Sequence, residues 1–260
     1  MNQNKYDVVI KAKPQDYHKL ALVVSSLDFL NPTPQNIYII SPTGYQPKGT
    51  VFDSKIVAVR DDEVTPRIDK SRLIHRPNWN WVNLVSILQE FTENNLYLDI
   101  QSDNFFTRPI DLFDESGRPK IFQSTANDVN NNGHRPYFTF SEKVFGIEKV
   151  SYGYSYIIEF LMYDRRLLRQ LFDERFKSYE DMIETVYANV TNDSYPADQE
   201  IFGNLVERYH HDKYCFVPNT QVCFHGSFQE VDVNSLEAYI NNVKQNNPNA
   251  IACSYHTWIW

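Results

Sequence analysis

Leu96-Tyr-Leu-Asp-Ile-Gln-Ser-Asp-Asn-Phe-Phe-Thr-Arg-Pro-Ile110 is the stretch on which the fold turns. It opens as a short apolar run, ends in a cluster of oxygen-bearing residues, then returns to apolar residues and an Arg-Pro turn. A run of this kind reads as a strand buried on both faces of a sheet. Alternation along it places Asp99, Gln101 and Asp103 on the same side.

Working outward, the first hundred residues repeat strand and helix signals. Tyr6-Asp-Val-Val-Ile10, Ile37-Tyr-Ile-Ile40 and Lys55-Ile-Val-Ala-Val59 are further buried strands. A helix from about Asp16 carries Leu20, Val23, Val24, Leu27 and Leu30 on one face, and a second, Trp79–Phe91, turns Val82, Val85, Leu88 and Phe91 inward. Strand–helix–strand repetition predicts an α/β fold with a mostly parallel sheet flanked by helices. Ligands of such sheets bind outside the carboxyl ends of the strands, so the residues after Ile10, Ile40, Val59 and Ile100 should line one crevice. Downstream, a strand is expected within Arg118–Gln123 and helices over Tyr156–Phe172, Ser178–Tyr187 and Asp198–Glu207. Two short strands follow, Cys215–Val217 and Gln221–Phe224. The absence of a repeat or a Gly/Ser linker predicts one domain over residues 1–260.

Composition narrows the function classes. The chain has 25 basic and 33 acidic residues, a net charge of −8, and no Lys/Arg run longer than Arg165-Arg166, which argues against nucleic acid as a partner. Its 17 tyrosines and 17 phenylalanines supply core, and also rings on which a sugar or base can stack. Cys215, Cys223 and Cys253 are few, odd in number and without CxxC spacing, so neither a disulfide framework nor a cysteine zinc site is indicated. Reduced thiols, a polar start at Met1–Lys5 and no apolar stretch approaching the ~20 residues of a membrane span predict a cytoplasmic protein.

The strand-end cluster carries the chemistry. Carboxylates at the exposed end of a strand hold a hard divalent ion through oxygen ligands. Such an ion offsets negative charge as a bond to a phosphate breaks. The segment Leu98–Ile110 resembles the DxD region of GT-A glycosyltransferases, with Asp103 at the second acidic position and Gln101 where the first is normally Asp. The resemblance implies a GT-A (Rossmann-like) fold and a nucleotide-sugar donor whose diphosphate meets Mn²⁺ or Mg²⁺ at Gln101, Ser102 and Asp103. It also divides the chain into a nucleotide-sugar half, residues 1–110, and an acceptor half with a C-terminal tail, residues 111–260.

Three further segments follow the same resemblance. Asp198-Gln-Glu-Ile-Phe-Gly-Asn204 is similar to the Asp-Gln-x-x-x-Asn stretch of retaining enzymes like glycogenin and the lipopolysaccharide galactosyltransferases, one residue longer here. It also resembles a Ser-Glu-Tyr-Glu-x-Tyr-Gly-Asn stretch in a family of short glycosyltransferase-like proteins, with Asp198 and Glu200 at the acidic positions. This likeness implies Asp198 or Glu200 nearest the acceptor, and the glycogenin-like one implies Gln199 near the reacting sugar carbon. Val222-Cys-Phe-His225 lies where glycogenin-like enzymes carry a late metal-binding histidine, which implies His225 as a third ligand; imidazole suits Mn²⁺. Tyr154-Ser155 and Met162-Tyr-Asp-Arg165 resemble the short family again, implying an acceptor site at Tyr154 and Ser155. Lys11, Lys13, Arg76 and Trp79, at strand ends and a helix start, are the expected donor-side contacts. The implied acceptor is a glycan or glycoconjugate of polysaccharide assembly.

Two rival readings use the same sheet. Nucleotidyl transfer normally has a glycine-rich loop after the first strand, where this chain has Lys11-Ala-Lys-Pro-Gln-Asp16. A degenerate relative that binds nucleotide or glycan without turnover is suggested by Gln101. Glycosidase chemistry needs two carboxylates at a set separation, a distance the sequence does not supply.

Overall fold

The computed structural model describes residues 4–64, 68–88, 90–124, 132–227 and 233–257, with the side chains at 132, 224–227, 233, 234 and 257 excluded. Five strands form the main sheet: β1 (Asp7–Lys11), β2 (Ile37–Ser41), β3 (Ile56–Arg60), β4 (Leu96–Gln101) and, after a short β5 (Asn104–Phe106) outside it, β6 (Phe160–Asp164). The order is β3-β2-β1-β4-β6. The first four run parallel and β6 closes the edge antiparallel to β4.

Both faces of this sheet are covered along β1, β2, β4 and β6, which is why those strands read as largely apolar runs, while the edge strand β3 is buried only at Ile56. Val9, Tyr38, Ile40, Tyr97, Leu161 and Tyr163 enter one core, against Leu84, Val85 and Leu88 of helix α2 (Pro77–Leu88). Val8, Ile10, Ile37, Ile39, Leu98, Ile100, Phe160 and Met162 enter the other, against Leu20, Val23 and Val24 of helix α1 (Tyr17–Ser26). Each fully buried aliphatic side chain contributes about 1.5–3 kcal/mol of transfer free energy.

The expected helix over Tyr156–Phe172 is corrected by β6. Phe160–Asp164 is buried at all five positions, with alternate residues in the two cores, so it has no solvent face for a helix to present. Helix α3 (Arg165–Arg175) begins only after it, capped by the Asp164 carboxylate accepting from the Arg166 N–H at 2.9 Å. Helices α4 (Tyr179–Asn189) and α5 (Asp198–Tyr209) match the expected spans closely.

A three-stranded sheet lies beyond the end of β4. Its order is β7 (Val222–Ser227), β8 (Ala252–Thr257), β5; β8 runs parallel to β7 and antiparallel to β5. The aromatic C-terminal segment is therefore a central strand as far as Thr257, and it delivers its side chains to the turn at Ser102-Asp103. Among the described residues, no helix is long and apolar enough to cross a membrane.

Candidate functional site

At the carboxyl end of β4 the chain turns through Ser102-Asp103 into β5. Opposite that turn, the Tyr255 N–H donates to the Asp103 carbonyl at 2.9 Å, which sets the register of β8. The next residue, His256, then faces the Asp103 side chain, with Nδ1 3.1 Å from Oδ2. Its other nitrogen, Nε2, lies 3.8 Å from Oε1 of Glu159, the residue just before β6. One ligand atom from each of Asp103, Glu159 and His256 falls within 4.8 Å of the other two. Their side chains are 16–17% exposed, open enough to be reached and dry enough for charge to matter.

Glu159 is held in an unusual way. Its φ of +71° lies in the left-handed region, which bulky residues avoid. Burial pushes its carboxyl up to about 7; the His256 charge opposes this, while Asp103 and Asp198 reinforce it. Burial alone would lower His256, but the hydrogen bond and charge of Asp103, with Glu159 behind, raise it. Two carboxyl groups and an imidazole converging on one point make a donor set that could hold a divalent cation. The mixture of oxygen and imidazole nitrogen is a donor set open to a first-row divalent ion.

The expected site residues divide into those at this edge and those turned inward. Asp103 is at the cluster. Gln101 is half-buried at the end of β4, and its N–H donates to the Glu159 carbonyl at 3.1 Å, so the strand end that lacks a first Asp lies directly beside Glu159. Ser102 turns away, its hydroxyl donating to Asp16 at 2.9 Å. Lys13 is exposed after β1. Lys11, expected at the donor, is instead buried and paired with Asp99, also donating to Ser86. That pairing is forced by the in-sheet register, since both side chains point into the same dry layer beneath α2. Asp99 is raised by burial to about 6, against the opposing Lys11 charge.

Arg76 and Trp79 stand where α2 begins, at the same carboxyl edge of the sheet. The Arg76 guanidinium lies 4.6 Å from the centre of the Trp79 ring and 5.5 Å from that of Tyr195, with the backbone at φ +45°. The Trp79 indole N–H donates to the Pro196 carbonyl at 3.2 Å, joining this edge to the start of α5. Arg72 is committed to Glu184 and rests on Tyr187.

Helix α5 starts against α2, with the Asp198 N–H donating to Asn83 Oδ1 at 2.9 Å. The Asp198 carboxylate accepts from the Tyr163 hydroxyl at 2.8 Å, and its charge is felt at both Asp99 and Glu159. Gln199 and Glu200 do not point into the crevice. Gln199 Oε1 accepts from the Ile158 N–H at 3.1 Å. Glu200 is fully buried; Oε1 accepts from the Ser155 hydroxyl and Tyr156 N–H, Oε2 from Lys149 and Asn204. Its expected place at the acceptor hydroxyl is thus corrected, because both oxygens are spent within the fold. Tyr154 and Ser155, expected at the acceptor, are likewise occupied, with Tyr154 donating to Glu207 and Ser155 to Glu200. His225 lies in β7 in register with Tyr255, one position from His256, and its side chain is outside the described residues.

Sequence reasoning missed Glu159 and His256. A signal for Glu159 was present: it is the single charge within Ile157-Ile-Glu-Phe-Leu-Met162. His256 sits in a terminal aromatic run with no motif around it.

No family model and no curated protein matches the sequence. Solved structures do match. The galactosyltransferase LgtC, in complex with donor and acceptor sugar analogs, is 11% identical with a TM-score of 0.47, covering 96% of this chain and 86% of that one. The bifunctional glycosyltransferase WbbM is 10% identical with a TM-score of 0.46, covering 98% of this chain and 46% of that one. The glycosyltransferase GlyE of Streptococcus pneumoniae TIGR4 is 13% identical with a TM-score of 0.41, covering 98% and 55%.

Proposed function

We propose that this chain is a metal-assisted glycosyltransferase, moving a sugar from a nucleotide-sugar donor to a glycan or glycoconjugate acceptor. The observation that carries the proposal is the meeting of Asp103, Glu159 and His256 at the carboxyl edge of a parallel sheet, next to the start of α5. In this reading Glu159 supplies the carboxylate that Gln101 lacks, and His256 is the late histidine. These three residues would hold Mn²⁺, which would offset the charge of a leaving diphosphate.

The chain's own groups do the rest. Lys13, Arg76 and Trp79 line the donor side, where the ring-backed guanidinium of Arg76 pairs with a phosphate. Asp198, whose carboxylate accepts from the Tyr163 hydroxyl, would be the carboxylate that acts at the reacting sugar. Its partial desolvation between α2 and α5 strengthens its effect on developing positive charge.

A second reading, a binder without turnover, is favoured by the occupation of Gln199 and Glu200. A thermal-shift screen of UDP-, GDP-, CMP- and dTDP-sugars with and without Mn²⁺, followed by a nucleotide-release assay, separates the two. The transferase reading expects a Mn²⁺-dependent shift for one nucleotide and slow donor hydrolysis, abolished by Asp198→Asn. A shift without release after long incubation would establish the binder; no shift with any donor would reject the transferase and a nucleotide binder, leaving only a binder of glycan.

A further inference from the structure

We infer that Glu200 is a positioning residue, which with Gln199 clamps the segment Ser155–Ile158 so that Glu159 is delivered to Asp103 and His256. The inference rests on the ion-binding reading of that cluster. A left-handed glutamate is strained and persists only where its surroundings over-determine the backbone. Here three consecutive N–H groups ahead of Glu159 are each held by a side-chain oxygen. Tyr156 donates to Glu200 at 3.1 Å, Ile157 to the Ser155 hydroxyl at 3.1 Å, and Ile158 to Gln199 at 3.1 Å. The Ser155 hydroxyl is itself oriented by Glu200 at 2.7 Å. On the far side, Gln101 fixes the Glu159 carbonyl.

The first turn of α5 therefore serves as a template for the loop. Lys149 provides the buried counter-charge, 2.7 Å from Glu200 and ringed by Phe138, Tyr154 and Tyr156. Gly203, one turn further along α5, permits the close approach: a Cβ there would lie 2.2 Å from the Tyr156 ring. With four donors on its two oxygens, Glu200 has no role left as an acid or base. Its influence reaches the site only through the backbone that carries Glu159.

The test is Mn²⁺ affinity by calorimetry, with the Mn²⁺ EPR signal as a second readout. It compares wild type with Gln199→Ala, Glu200→Ala, Glu200→Gln, Glu159→Ala and the Glu200→Ala/Glu159→Ala double variant. Gln199→Ala and Glu200→Ala are expected to weaken binding about 10–100-fold, as lost supporting partners do. Glu200→Gln keeps an acceptor for Ser155 and Tyr156 and should stay within about 3-fold of wild type, although the unpaired Lys149 lowers its stability. In the Glu159→Ala background, Glu200→Ala should add nothing. Wild-type affinity in both Gln199→Ala and Glu200→Ala would overturn the inference, as would an equal loss with and without Glu159. Glu200→Ala alone failing to fold leaves the decision to Gln199→Ala and Glu200→Gln. Failure of wild type itself to bind Mn²⁺ would instead strike the ion-binding reading, and this inference with it.

Discussion

His256 Nδ1 and Asp103 Oδ2 lie 3.1 Å apart, although 153 residues separate them along the chain. Strand β8 makes this contact by pairing with β5, which follows directly from the turn that carries Asp103. The proposed ion site would therefore be completed by the C-terminal strand. Truncation before Ala252 would remove both a sheet strand and a proposed ligand. The point substitution isolates the ligand: His256→Ala is expected to weaken Mn²⁺ binding more than about 100-fold, beyond the loss typical of supporting residues. Thermal melts without the ion should stay within a few degrees of wild type.

Ion binding should depend steeply on pH. Glu159 is raised to about 7 and His256 is raised above its ordinary value, so in acid both hold protons that Mn²⁺ must displace. Affinity is expected to climb from pH 5.5 to 7 and flatten as both groups deprotonate. The ion-free protein has the opposite slope. A carboxyl raised in the folded state contributes stability that is fully present below the unfolded value near 4.5 and is lost as pH rises through about 7. The shift corresponds to about 3 kcal/mol from this group. Urea unfolding at pH 5 and pH 8 with a chelator, compared between wild type and Glu159→Gln, separates it from Asp99, which burial raises to about 6.

Glu159→Gly separates strain from ligation. Glycine accepts a φ of +71° freely, so the substitution releases about 1–3 kcal/mol of backbone strain and gives back about 0.5–1 kcal/mol in chain entropy. The variant should be more stable than wild type at pH 8 without ion. Added Mn²⁺ should raise the melting temperature of wild type and leave the variant unmoved.

The pair Lys11–Asp99 is predicted to be structural. Lys11→Met leaves a buried carboxylate uncompensated and should destabilise by about 3–5 kcal/mol. Lys11→Met/Asp99→Leu should recover most of that loss in urea unfolding. Donor binding by the double variant would remain, in contrast to the sequence expectation that Lys11 touches the nucleotide.

Gly203→Ala should be among the most damaging small substitutions in the chain. The new methyl would meet the Tyr156 ring at 2.2 Å, and that ring is wholly buried, with its hydroxyl committed to Glu207. Overpacking of this kind costs about 1–3 kcal/mol or more. Loss of the clamp beside Glu159 should weaken Mn²⁺ binding in parallel.

Strands β1, β2 and β4 were readable because they are buried on both faces, and continuous apolar runs such as Val8-Val-Ile10 have few other structural uses. Asp103 was readable for the same reason, as the polar end of one such run. What failed was the edge. Tyr156–Phe172 has enough leucine at helical spacing to mimic one helix, and only the cores on both sides of Phe160–Asp164 decide for a strand. With that strand hidden, Glu159 had no reason to face Asp103. Glu200 shows the converse: an acidic helix start looks alike whether its carboxylates face a crevice or, as here, a lysine below. His256 depends on a strand pairing between distant segments, which no local pattern encodes.

The most direct test of the central claim is an EPR titration of Mn²⁺ at pH 7.5, with and without UDP or GDP, on wild type, Asp103→Asn and His256→Ala. One bound ion per chain in wild type, tightened by one nucleotide and lost in both variants, is the predicted result. Undiminished Mn²⁺ binding in His256→Ala and Asp103→Asn, or nucleotide binding indifferent to the ion, would contradict it.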